Sequence, residues 1–185
     1  MKDKIVIING LGGCGKSTFV KLCKDYCEAK WENVKAYELS SIDFVKEVAI
    51  FCGWDGSKTL KNRTFLHDIK TILEEWDDVP SKKVFEKIYQ LTDFHATSVF
   101  FVNIREAYNI EKFKDMVQEQ IPHYDCITLG VKNPNINTNE VIELITQINE
   151  YGYDVVINNN KDLTHLEFLA QNFMQDLIDG KFNKE

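Results

Sequence analysis

Arginine is nearly absent from this chain. Of 22 basic residues only two, Arg63 and Arg105, carry a guanidinium. Basic charge as a whole is also short: 29 acidic side chains leave a net charge of −7. That excludes a general nucleic-acid binder or a protein that lies on anionic membrane surfaces, because both need a basic face. No apolar run approaches the roughly 20 residues of a membrane span, and no basic start followed by an apolar stretch marks an export signal. A cytoplasmic protein with neither nucleic-acid nor membrane partners is expected. Proline occurs three times, at Pro80, Pro122 and Pro134, each between segments of regular pattern, so no proline-rich linker exists. Repeats and low-complexity tracts are missing too. The five cysteines, Cys14, Cys23, Cys27, Cys52 and Cys126, are odd in number and scattered, which is no disulfide framework. Cys23 and Cys27 fall four apart on one predicted helix without a second pair at ligand spacing, so reduced, mostly buried thiols are expected rather than a metal site.

Against these absences stands a chain of 185 residues that is 44% hydrophobic, enough for one domain, 1–185, with a sizeable core. Its most informative stretch is Ile5-Val6-Ile7-Ile8-Asn9-Gly10-Leu11-Gly12-Gly13-Cys14-Gly15-Lys16-Ser17-Thr18. An apolar run gives way to a glycine-dense turn, then to a lysine and two hydroxyls that open an amphipathic segment. Gly10, Gly15, Lys16 and Ser17 fit the phosphate-loop pattern G-x-x-x-x-G-K-[ST]. Glycines let the backbone wrap so that the N–H groups from Gly10 through Leu11, Gly12, Gly13 and Cys14 to Gly15 point inward at a phosphate chain, and the helix that follows adds its positive end. Lys16 then reaches the β- and γ-phosphates, Ser17 ligates a bridging Mg²⁺, and Thr18 touches the α-phosphate. ATP and Mg²⁺ are the expected cofactors. Cys14, beside a helix N-terminus, is expected to ionise readily, so that alkylating it blocks nucleotide binding. The same residues also spell G-x-G-x-x-G through Gly10, Gly12 and Gly15, with Glu38 as a later acid, which is the dinucleotide fingerprint. Lys16-Ser17 opposes that alternative, because the motif needs close helix packing at this point.

Short, continuous, β-branched or aromatic runs at 4–8, 34–39, 98–104, 126–131 and 153–157 read as strands covered on both faces. Helical spacing appears between them: 18–28, a helix starting near Asp43, an apolar stripe from Phe65 to Trp76, another from Val84 to Leu91, then Ile110 to Val117, Val141 to Ile148, and Leu163 to Leu177. The alternation predicts an α/β fold of three layers, a five-stranded parallel sheet with helices on both faces, in the P-loop NTPase manner. Ligand groups in such a fold gather at the carboxyl ends of the strands.

Those ends supply the other candidates. After the second strand, Ser41 and Asp43 either cap a helix or, with Lys46 one turn along, face a second anion. Gly53-Trp54-Asp55-Gly56-Ser57 forms a specific turn ahead of Lys58, Lys61 and Arg63, a local basic cluster. Arg63 and Arg105 are informative because forked donors bind phosphate bidentately. Arg105 leaves the third strand toward the ligand crevice, or pairs with Glu106. No strand ends in the aspartate that motor ATPases use for Mg²⁺; Asn103 stands there instead. Asn160-Lys161-Asp162 falls one place short of the base-reading N-K-x-D of GTPases.

The phosphate loop, Ser40-Ser41-Ile42-Asp43-Phe44-Val45-Lys46, Gly53 to Lys58 leading to Asn62-Arg63-Thr64-Phe65-Leu66, and Ile104-Arg105-Glu106 together resemble the deoxynucleoside monophosphate kinases of phages and bacteria, over about the first 110 residues. The resemblance implies an ATP-dependent phosphotransferase acting on a nucleoside monophosphate. It also implies an acceptor-binding helical region at about 41–95, where Ser41, Asp43, Lys46, Arg63 and Arg105 hold the acceptor, and a lid at about 132–150. Lys16, Arg63, Arg105 and Asp43 would be catalytic. Asn158 and Asn159 would meet the adenine edge. Two departures stand out: Asn103 replaces an acid, and the segment after Val131 carries Lys132 and a run of asparagines but no arginine. The other readings are a nucleotide-binding protein without turnover and a kinase for another small phosphorylated acceptor. A monomer or homodimer is expected.

Overall fold

The structure, a computed structural model, describes residues 2–136, 146 and 148–182. Five strands form one sheet: β1 (Lys4–Asn9), β2 (Val34–Ser40), β3 (Thr97–Asn103), β4 (Asp125–Lys132) and β5 (Val155–Asn158), in the order β2-β3-β1-β4-β5. β1 pairs in parallel with β3, Ile8 opposite Asn103, and with β4, Asn9 opposite Gly130. β4 pairs in parallel with β5. The helices are α1 (Lys16–Lys30), α2 (Asp43–Phe51), α3 (Leu60–Asp77), α4 (Val79–Leu91), α5 (Ala107–Gln120) and α6 (Leu163–Ile178).

β1 is buried along its whole length, as continuous apolar strands in a two-sided sheet must be. Its alternate residues Val6 and Ile8 join Phe101, Ile127 and Leu129 in one core with Phe19, Val20 and Cys23 of α1 and Ala170, Phe173 and Met174 of α6. Phe19 meets Phe173 edge-on, with centroids 5.6 Å apart. Ile5, Ile7, Phe100 and Val102 face the other way and are equally buried, and α5 buries the stripe Ile110, Phe113, Val117 that its spacing predicted. Each large apolar side chain removed from water in this way contributes about 1.5–3 kcal/mol.

The chain divides into two compact units. One is 1–38 with 93–185 and contains the body of the sheet; the other is Leu39–Thr92 and contains α2, α3 and α4. Within the helical unit two helices begin earlier than their apolar stripes suggested. α3 starts at Leu60 because the Thr59 side chain accepts the Asn62 N–H, a cap that lengthens the helix through a polar first turn. α4 starts at Val79 with Pro80 in its first turn, where a missing N–H costs nothing. In the sheet unit β5 starts two residues later than expected, because Asp154 is used as a clasp. Its carboxylate accepts from both the N–H and the hydroxyl of Thr128, 2.8 Å each. The helix expected over Val141 to Ile148 lies mostly outside the described residues.

Candidate functional site

The Gly10–Gly15 turn leaves β1 and runs into α1, with three glycines at positive φ: Gly10 at 151°, Gly13 at 81° and Gly15 at 102°. Gly10 is required by space as well as by angle. A Cβ there would stand 2.3 Å from the Val131 carbonyl oxygen and 2.8 Å from the Cys14 sulfur. Gly15 is the N-cap of α1, without a side-chain cap and with no acid in the first turn. The N–H groups of that turn, with the exposed hydroxyls of Ser17 and Thr18, therefore present a positive, uncapped helix end. Lys16 folds back over the loop, its ammonium donating to the carbonyls of Gly10 (2.5 Å) and Leu11 (3.0 Å). A cation seated on the rim of a glycine turn beside a bare helix N-terminus is arranged to receive an anionic chain.

Two asparagines hold this loop from behind. Asn9 accepts from the Gly10 N–H at 2.7 Å and donates to the Arg105 carbonyl at 2.9 Å, tying the start of the loop to the end of β3. Asn159 donates through its side chain to the Cys14 carbonyl at 2.9 Å, and its backbone N–H donates to the Lys132 carbonyl at 2.7 Å. Its expected place at a nucleobase is thereby corrected: the side chain serves the loop. Asn158 and Asn160 line a cavity of about 460 Å³ beside the loop, together with Leu11, Cys14, Lys132 and Asn149. Asp162, the near-match to a base-reading aspartate, instead caps α6 by accepting the His165 N–H.

The expectation for Cys14 is also corrected. Its thiol is 1% exposed, packed under Gly10, so the loop shields it from alkylating reagents. Burial pushes the thiols of Cys27 and Cys126 up to about 12 and that of Cys23 well above its ordinary value. None of the five cysteines is in a disulfide, and Cys52 alone is exposed. The Tyr153 ring lies flat on Gly130, where a Cβ would come within 2.5 Å of it, and burial pushes its phenol up to about 12.

At the far side of β1, Asn103 donates to Glu38 of β2 at 3.0 Å. A carboxylate is thus present at the strand ends although the third strand lacks one, a relation between residues 65 apart that no local motif reveals. Among the described residues no group of three or more His, Cys, Asp or Glu side chains could hold a metal by itself. The exposed hydroxyl of Ser17 is an oxygen donor of the kind Mg²⁺ takes, an ion that keeps several waters and shares its coordination with phosphates. Arg105 follows β3 and is exposed, its backbone held by Asn9.

The remaining candidates belong to the helical unit. Asp43 accepts the Ser40 N–H at 3.0 Å and lies 3.5 Å from the Lys46 ammonium. The N-cap of α2 is Ile42, one residue beyond Ser41. The Gly53–Ser57 turn is as specific as the sequence suggested: Asp55 accepts from the Ser57 N–H and from Asn62, and Trp54 donates to the Ser57 carbonyl. Those bonds hold the Asp55 carboxyl below the usual range, the Ser57 N–H first. Arg63 is exposed on the first turn of α3, its N–H bonded to the Thr59 carbonyl.

No protein-family model matches this sequence, and no curated protein does. Solved structures do. The APS kinase of Mycobacterium tuberculosis, solved with AMPPNP and APS, is 12% identical over 96% of each chain with a TM-score of 0.54. The thymidylate kinase of Ehrlichia chaffeensis is 14% identical over 95% of this chain and all of that one, also with a TM-score of 0.54. The strand order departs from that of a dinucleotide-binding sheet, in which β2 rather than β3 lies beside β1. At these identities the likeness is one of fold, and the fold of this chain is the α/β fold of the P-loop kinases.

Proposed function

We propose that this protein is a small-molecule kinase that transfers the γ-phosphoryl group of ATP to a nucleoside monophosphate, with a deoxynucleoside monophosphate as the favoured acceptor. The observation that carries the proposal is the loop from Gly10 to Thr18: its glycine angles, its uncapped helix and a lysine resting on its own carbonyls. Phosphoryl transfer needs positioning and charge neutralisation more than covalent chemistry. Lys16 exchanges the carbonyls of Gly10 and Leu11 for the β- and γ-phosphate oxygens. Ser17 would hold Mg²⁺, with Glu38 as the carboxylate at the strand ends, and the metal would supply charge neutralisation for the phosphoryl group in transfer. Asn158 meets the base in the adjoining cavity. In the sheet unit Arg105 would bind an acceptor phosphate; in the helical unit Arg63, Ser41 and Lys46 would offer an anion site, with Asp43 to orient the acceptor. The protein works in the cytoplasm as a monomer or homodimer, on free nucleotides.

A second reading, a nucleotide-binding regulator without turnover, draws on two observations: Asn103 replaces an acid, and the Lys132 ammonium is bonded to the Asn149 carbonyl at 2.9 Å. Incubating the protein with ATP·Mg²⁺ and a panel of nucleoside and deoxynucleoside monophosphates, scored for ADP, separates them. Acceptor-dependent ADP release supports the kinase. Tight ATP binding with no ADP from any acceptor supports the regulator.

A further inference from the structure

We infer that Asn159 is the positioning residue of the phosphate loop, setting the direction in which the Gly15 N–H points. The inference rests on the phosphate-binding reading of the loop. A trans peptide is planar, with its C=O and N–H pointing opposite ways. The Cys14 carbonyl and the Gly15 N–H belong to one such unit. Because the Asn159 amide holds that carbonyl at 2.9 Å on the back of the loop, the Gly15 N–H is turned toward the concave side, where a phosphate oxygen would accept it. An anchor must itself be fixed, and Asn159 is: its N–H donates to the Lys132 carbonyl at the end of β4.

The fit is tight enough to tie the two residues together. A Cβ on residue 15 would stand 2.4 Å from the Asn159 amide nitrogen, so this asparagine and the glycine are matched by packing as well as by the hydrogen bond. The flanking residues do different work, since Asn158 and Asn160 line the neighbouring cavity. Asn9 fixes the other end of the loop through the Gly10 N–H. A loop bracketed in this way holds its N–H groups aimed before any anion arrives, so less ordering is needed on binding.

The test replaces the donor without changing side-chain size. Asn159→Leu is nearly isosteric and cannot donate; Asn159→Asp keeps the polarity but sets an acceptor against the Cys14 carbonyl. ADP affinity is measured by calorimetry, adenosine affinity by ligand-observed NMR, and unfolding temperature without ligand. The expected result is that both variants lose tenfold or more in ADP affinity, that adenosine binds within twofold of wild type, and that the unfolding temperature moves by a few degrees at most. Wild-type ADP affinity in Asn159→Leu would overturn the inference, as would an equal loss for ADP and adenosine in the two variants. If one variant does not fold, the other is read by the same rule. Wild-type protein that binds ADP no better than adenosine would instead refute the phosphate-loop reading, and this inference with it.

Discussion

The loop of the sheet unit and the candidate residues of the helical unit are built in opposite ways. The loop is made of backbone, packed from below and fixed at both ends by asparagines. In the helical unit the candidates are side chains on exposed or half-buried turns, and Asp43 already serves its own chain. Exposed apolar groups are common there too, with Phe51 at 92% and Trp76 at 81%. A site for a phosphate chain can be preformed because every residue carries the N–H that binds it. A site for a particular acceptor depends on side chains, which are ordered by what they hold.

The thiols give the widest contrast. Cys52 of the helical unit is exposed, while Cys14, Cys23 and Cys27 of the sheet unit are buried and Cys126 is partly so. In native protein at pH 8, iodoacetamide should modify Cys52 quickly. Cys27 and Cys126, held near 12 against an ordinary 9, should react about 10³-fold more slowly than a free thiol from ionisation alone. Mass spectrometry counts the adducts, and rapid labelling of Cys14 would refute the packing described for the loop. These raised thiols stabilise the fold fully below pH 9, and the contribution is lost as pH climbs toward 12, because the unfolded chain ionises first. Urea midpoints at pH 8 and 10.5 should differ in that direction.

Glycine replacements sharpen the same contrast. Gly10→Ala combines a strained φ with a collision against the Val131 carbonyl and should cost roughly 2–5 kcal/mol in urea unfolding. Gly56→Ala in the helical unit meets open space at φ 81° and should cost only about 1–2 kcal/mol. Equal costs would remove the claim that the loop is packed from below. On the acceptor side, Arg105→Ala should lower kcat/KM for the monophosphate by about 10–100-fold with ATP affinity kept; lost ATP affinity would move Arg105 to the donor. The smallest effect is at Glu38. Glu38→Gln keeps an oxygen for Asn103 and should reduce the Mg²⁺-dependent gain in ATP affinity several-fold, measured by calorimetry with and without the metal.

The difference between the units also explains what the sequence could disclose. The turn through Gly10 and Gly15 to Lys16 was legible because a chain that wraps this tightly between a strand and a helix needs glycine at a fixed local spacing. The five strands were legible because burial on both faces leaves continuous apolar runs, as in Ile5 to Ile8. Asn159 was not legible: its partner Cys14 lies 145 residues away, and an asparagine that binds a carbonyl looks the same in sequence as one that lines a pocket. The Glu38–Asn103 pair was hidden for the same reason. The early start of α3 was visible in principle, since Thr59 and Asn62 form a local cap, but the polar first turn concealed it behind the apolar stripe at Phe65.

The most direct test of the central claim is a calorimetric titration of wild-type protein and Lys16→Ala with ATP·Mg²⁺ and with NAD. The account predicts that wild type binds ATP far more tightly than NAD and that Lys16→Ala loses about two orders of magnitude for ATP. NAD bound more tightly than ATP, or ATP affinity indifferent to Lys16, would contradict it.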